Sequence, residues 1–220
     1  MQANARTLLT TLREDFFEAW SQGKWEGLMP GLSGDATLIG NQHGDVIGLS
    51  GWQRLLAPDL PNMAWMRTSN HAIVVGDCGQ AASSAYVYGL LSDGQRHLLF
   101  GASVILKFQF HEAHDRWLLT VAKTNINWCR GDVALVPHWR SPPRDAGWQL
   151  GDSAPVIVSE LDSPWALIGA GLPSGSKEDA IRELYSKYSW AIDQGDIALL
   201  TDCYTDDAAG GFNRAISWPD

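Results

Sequence analysis

The hydrophobic period of this chain changes once, near residue 70, and that change restricts the fold more than any single motif does. Before it, Leu8, Leu9, Leu12, Phe16, Ala19 and Trp20 recur at helical spacing, with Arg13, Glu14 and Glu18 on the opposite side. Gly23 ends this first helix, and residues 24–29 read as a short second helix stopped by Pro30 and Gly31. Ser50 is placed to cap a third helix over 51–57, which Pro58 closes. After residue 70 the period becomes two, predicting strands at about 71–76, 80–91, 97–110 and 117–128. In the third of these, Phe100, Ala102, Val104, Leu106, Phe108 and Phe110 alternate with smaller or more polar residues. Gly76-Asp77 and Ser92-Asp93-Gly94 supply hairpin turns, and a short polar stretch from His111 to Arg116 separates the last two strands. Helices followed by a meander of strands give an α+β domain with an antiparallel sheet, ending near Asp132.

Composition narrows the function classes. Of 220 residues, 45% are hydrophobic and 19% charged, which suits a packed core rather than a disordered chain. The formal net charge is −9 and the 16 Lys and Arg form no cluster, so neither a nucleic-acid partner nor an anionic membrane surface is expected. No apolar run approaches the roughly 20 residues of a membrane span, and the opening residues lack the apolar region of a secretion signal. A cytoplasmic protein is the expectation. Cys78, Cys129 and Cys203 are too widely spaced for a zinc knuckle and odd in number, so they read as buried thiols. The 11 Trp suggest broad aromatic surfaces lining either a core or an apolar pocket.

The chain divides into a domain over 1–132, a Pro- and Gly-rich connecting segment over 133–176, and a helical segment over 177–220. Ser176 and Asp179 resemble a capping box, and Ile181, Leu184, Tyr185, Tyr188 and Ile192 form a stripe ended by Gly195. Gly195 follows Gly23 by 172 residues, and the same offset pairs Leu184 with Leu12, Tyr188 with Phe16, Leu200 with Leu28, Asp207 with Asp35, Ala208 with Ala36 and Asn213 with Asn41. The set keeps one register, as the start of an internal repeat does.

The segment YSKYSWAIDQGDIALLTDCYTDDA (185–208) resembles the opening of a SnoaL-like domain of the nuclear transport factor 2-like superfamily. There an aromatic helix runs into an Asp-x-Gly-Asp turn and a Thr-Asp-Asp-Ala end. Residues 8–36 are a weaker version of it. SNHAIVV (69–75), VVGDCGQAASSAYVYG (74–89) and HDRWLLTVAKTNINW (114–128) are similar to the later pieces, so the resemblance spans about 6–130. It implies a cystatin-like α+β fold, in which a strongly curved antiparallel sheet wraps the N-terminal helices into a cone with an apolar pocket. Relatives on this fold include ketosteroid isomerase, scytalone dehydratase and polyketide cyclases, together with non-catalytic proteins. Fold alone leaves the function open.

The resemblance makes His71 an acid/base group, since a histidine at this strand start works with an Asp at the end of the first helix in the scytalone dehydratase-like branch. Imidazole suits that role near neutral pH. Here Ser21 stands at the Asp position; it can orient an imidazole but cannot stabilise an imidazolium. His97 is a loose match for a second pocket histidine. The missing carboxylate recurs as Asp193 in the second copy, which reaches Asp220 before any equivalent of His71, so a complete pair needs Asp193 to enter the first copy's pocket, within the chain or in trans. Trp20, Trp52, Trp65, Tyr86, Tyr88 and Asn125 are the expected pocket residues, with core or interface as the alternative for the aromatic ones.

Other patterns carry less. His111 and His114 are one residue short of His-Glu-x-x-His, so no metal is expected. Gly169, Gly171 and Gly175 read as a linker rather than a phosphate loop, and no Gly-x-Ser-x-Gly elbow occurs. The leading expectation is a cofactor-free protein that binds a hydrophobic small molecule and dehydrates, isomerises or cyclises it through His71. The alternative is a non-catalytic ligand-binding or dimerisation module that has lost the acid/base pair. A homodimer through the sheet's exposed face is expected in either case. The half copy has the apolar face Ile181, Leu184, Tyr185 and Tyr188 but no sheet of its own, and docking onto the first domain is the expectation for it.

Overall fold

The computed structural model describes residues 2–143, 149–169, 171–172 and 176–208. Its first helix, α1 (Gln2–Gln22), is followed by α2 (Trp25–Leu28), β1 (Leu32–Gly40), β2 (Gly44–Ile47) and α3 (Leu49–Leu56). Four long strands come next: β3 (Met63–Val75), β4 (Gln80–Ser92), β5 (His97–His111) and β6 (Arg116–Gly131). The C-terminal part carries α4 (Ser159–Asp162), α5 (Pro164–Ile168), α6 (Lys177–Gln194) and α7 (Ile197–Thr201). The six strands form one curved, unclosed sheet in the order β2-β1-β6-β5-β4-β3, antiparallel throughout except where β1 runs parallel to β6. This is the expected α+β architecture.

Alternation along the strands sorts the sheet into two faces. The inner face carries Val87 and Leu91 of β4, Phe100, Val104 and Leu106 of β5, and Leu119 and Ile126 of β6. All of these join Leu9, Phe16, Trp20 and Trp52 in the main core. The outer face carries Tyr86, Ile105 and their neighbours, covered by α4–α7 through a second, smaller cluster of Ile105, Ile157, Trp190, Ala191 and Leu199.

The four strands predicted after residue 70 are present, but β3 begins at Met63 and two further strands, β1 and β2, precede it. Gly34 and Asp35 in β1, and the exposed residues of the first half of β3, dilute the alternation that marks a strand. Gly48, with φ 74°, stands at the N-cap of α3 instead of Ser50, and no side chain caps that helix. The segment expected as a pure connection from 133 sends Leu135, Val136 and Trp139 into the main core.

The C-terminal helices dock on the sheet, but by a face other than the one expected. Trp190 is fully buried, stacks on Tyr86 at 5.4 Å and donates through Nε1 to Ser159 Oγ at 3.0 Å. The stripe Ile181, Leu184, Tyr185, Tyr188 and Ile192 stays exposed. The reason is the sheet's outer surface: Tyr86 offers Trp190 a flat ring to lie on, and one side of α6 cannot bury both faces. Gly195 ends α6 at φ 68° as Gly23 follows α1 at φ 70°, each leading into a short helix. Asn213 and Gly175 lie outside the described residues.

Candidate functional site

His71 follows a register slip between Ser69 and Ala72 where Asn70 takes φ 50°. From there residues 71, 73 and 75 share a face, and Ile73 and Val75 belong to the main core, so His71 sits on the side of the sheet that faces α1. Its Nε2 lies 3.2 Å from Thr68 Oγ1. The residue is exposed at the surface, yet partial desolvation of its ring and the nearby Arg13 charge push the imidazole down to about 4, so it is neutral at pH 7. Ser21 Oγ donates to its own helix, at Phe17 O, 2.7 Å away. Ser21 thus bonds within its own helix and His71 bonds to Thr68, two different partners.

The inner face instead gathers a different set of polar groups. Asp59, from the turn after α3, is almost fully buried and accepts four side-chain hydrogen bonds. Trp20 Nε1 and His43 Nε2 approach Oδ2 at 2.9 Å each, while His138 Nε2 and Trp139 Nε1 approach Oδ1 at 2.7 and 3.0 Å. Burial alone would push this carboxyl up, but His43 beside it and the donors from His138, His43 and Trp20 outweigh that and hold it well below the usual carboxylate range. The aromatic rings continue around it. Trp20 contacts Phe16, His43 and Phe100, Phe16 contacts Trp52, and Trp139 closes the set against Phe100 at 5.5 Å and His43 at 5.7 Å. Trp52 Nε1 is satisfied by Ala36 O at 3.1 Å. Trp20 and Trp52, expected as pocket residues, are fully buried in this packing.

The remaining expected residues lie on the other face. Tyr86, Tyr88, Trp128, Asp193 and Gln194 line a cleft of about 410 Å³. Its floor is β5 at Gly101, which pairs with Tyr88 on one side and Trp128 on the other. A Cβ at Gly101 would meet the Trp128 indole at 2.3 Å, so the glycine lets that ring lie across the strand. Tyr88 and Trp128 are 42% and 40% exposed, with ring centroids 6.4 Å apart. Burial and the neighbouring Asp193 carboxylate raise the Tyr86 hydroxyl above its ordinary value. Asn127 Nδ2 and Gln194 Nε2 both donate to Ser103 Oγ, at 2.8 and 3.3 Å. Asp193 is therefore across the sheet from His71 within this chain. Asn125 lines a separate hollow of about 260 Å³ with Asn41 and Gln42, its Oδ1 accepting from Val156 N at 3.0 Å. Trp65, 39% exposed, lies on the β3 edge strand. His97 is exposed at the start of β5, and His111 and His114 stack at 4.6 Å in the turn before β6. Among the described residues no group of three or more His, Cys, Asp or Glu is placed to hold a metal ion.

His43, Asp59, His138 and Trp139 escape notice in the sequence. Asp59 sits between Pro58 and Pro61 and reads as a turn; His43 precedes Gly44 and reads as another. The only signal available was an excess of tryptophan, whose indole N–H groups need buried acceptors.

No protein-family model matches the sequence, and no curated protein is similar to it. Solved structures do match. The hexachlorocyclohexane dehydrochlorinase LinA-type3 from Novosphingobium barchaimii LL02 is 15% identical, with 60% of this chain and 92% of that one covered at a TM-score of 0.53. LinA is 16% identical, covering 58% and 89% at 0.52. A candidate scytalone dehydratase from Novosphingobium aromaticivorans DSM 12444 is 8% identical, covering 70% and 95% at 0.51.

Proposed function

We propose that this chain, which has the nuclear transport factor 2-like fold of those structures, binds a small molecule without catalysing its conversion through His71. The fold hosts a dehydrochlorinase in the first of these neighbours, which supports a ligand-handling role in general. One observation supports the non-catalytic reading over the catalytic one. The space between α1 and the sheet is occupied by Trp20, Trp52, Phe100 and Trp139 packed around the Asp59 carboxylate. A neutral His71 whose ring is bonded to the Thr68 hydroxyl rather than to a carboxylate is a weak proton shuttle. The ligand site is then the outer-face cleft of Tyr86, Tyr88, Trp128 and Asp193, whose volume lies within the usual range for small-molecule sites of roughly 300–1,000 Å³.

Residues 177–220 belong to the proposal as the start of a second copy of the fold, whose Asp193 and Gln194 line the cleft. A homodimer and a cytoplasmic location remain part of the reading, and light scattering checks the first. The test of the function is turnover of hydroxylated aromatic ketones followed by chromatography. Wild-type protein and Ser21→Asp are both expected to return the substrates unchanged, because the aspartate would meet a filled space. Turnover that disappears in His71→Ala would overturn the reading.

A further inference from the structure

The chemistry of the cleft is one-sided. Among the described lining residues Asp193 alone carries a formal charge, and it stands in the last turn of α6, an 18-residue helix with no basic residue in that turn. The helix C-terminus adds partial negative charge of the same sign. Two exposed rings, Tyr88 and Trp128, face the opening across Gly101, and aromatic faces attract cations. The nearest cation on β3, Arg67, whose residue pairs with Tyr88, is not part of the cleft lining and donates from Nη1 to Met66 O at 3.0 Å. Carboxylate, helix end and ring faces thus favour the same kind of ligand.

We propose that the outer-face cleft binds an organic ammonium ion, with the cationic head against the rings of Tyr88 and Trp128 and its charge balanced by Asp193. This inference rests on the binding function proposed above and adds the ligand's chemical class. Gln194 and Asn127 stay on Ser103 and shape the wall. The glycine at 101 is required, since any side chain there would lift Trp128 off the strand.

The test uses the full chain and three probes: choline, its uncharged carbon isostere 3,3-dimethylbutan-1-ol, and benzoate. Binding is read by calorimetry and located by shifts of the Trp128 indole N–H and the Gly101 amide. Choline is expected to shift both signals, with the alcohol about tenfold weaker and benzoate silent. Asp193→Asn, at an exposed position, should weaken choline about tenfold, and Trp128→Leu should do the same, as losing one close charge or one ring predicts. If the alcohol or benzoate binds at the same residues as well as choline, or if Asp193→Asn leaves choline binding unchanged, the ammonium class is overturned while small-molecule binding stands. If none of the three probes moves Trp128 or Gly101, the binding function itself is overturned.

Discussion

Asp59 shows how one side chain can decide what a fold has room for. Its two carboxylate oxygens tie together α1 through Trp20, the β1–β2 turn through His43 and the segment after β6 through His138 and Trp139. Replacing it by alanine leaves four donors without their acceptor. Asp59→Ala is expected to lose roughly 3–5 kcal/mol of stability in urea unfolding, the range for breaking a buried charged network. The pH dependence has a definite sign. The folded carboxyl titrates below its unfolded value of about 3.9, so its contribution is complete above that pH and is lost as pH falls through the folded value. The gap between wild type and Asp59→Ala should therefore narrow below about pH 4. His71 behaves in the opposite chemical class with the same slope. Partial desolvation and Arg13 lower it to about 4 against an unfolded value of about 6.5, so the unfolded chain binds the proton more tightly between those values. Stability should rise with pH across that window, by an amount that the exposed edge of the residue keeps small, and His71→Asn should flatten the rise. An NMR titration of the His71 ring reads the value directly.

The elements differ in how openly the sequence announces them. β4, β5 and β6 are buried on their inner faces, so apolar residues recur every second position and the strands are legible. β1 and the first half of β3 are only partly buried, and their polar residues mimic turns. Helix α6 was legible as a helix, from its Ser176 cap to Gly195, but not in its orientation. Periodicity marks an apolar stripe; it cannot tell that Trp190, off the stripe, would find Tyr86 to stack on. The aromatic site was half legible for a similar reason. Tyr86, Tyr88 and Asp193 are among the expected site residues and Trp128 is not, because nothing in its own segment shows that Gly101 lies across from it. Gly101→Ala tests that relation. It should cost roughly 1–3 kcal/mol, as overpacking does, and should move the Trp128 indole signal while leaving those of Trp20 and Trp52 in place.

At the scale of the whole molecule, two apolar clusters sit on opposite faces of one sheet, and they are unequal. The main core spans helices, all six strands and the segment to Trp139, whereas the outer cluster rests on five buried residues. The outer layer is held besides by Lys123 Nζ on Asp162 at 2.6 Å and Ser159 Oγ on Asp196 at 2.6 Å. The C-terminal helices should open before the sheet does. Trp190→Ala is expected to remove roughly 3 kcal/mol from their docking and to speed amide exchange in α6 and α7 while leaving β4–β6 protected. No described helix is long and apolar enough to cross a membrane.

The central claim is that the inner face is closed and the outer cleft is the place where a ligand enters. Hydrogen exchange of the indole N–H groups, followed with and without choline, tests both halves at once. Trp20, Trp52 and Trp139, whose N–H groups are bonded to Asp59 or Ala36, should exchange only on global unfolding and keep their shifts, while Trp128 exchanges at once and moves with choline. Fast exchange or ligand-dependent shifts at Trp20 or Trp139, with Trp128 unmoved, would contradict the account.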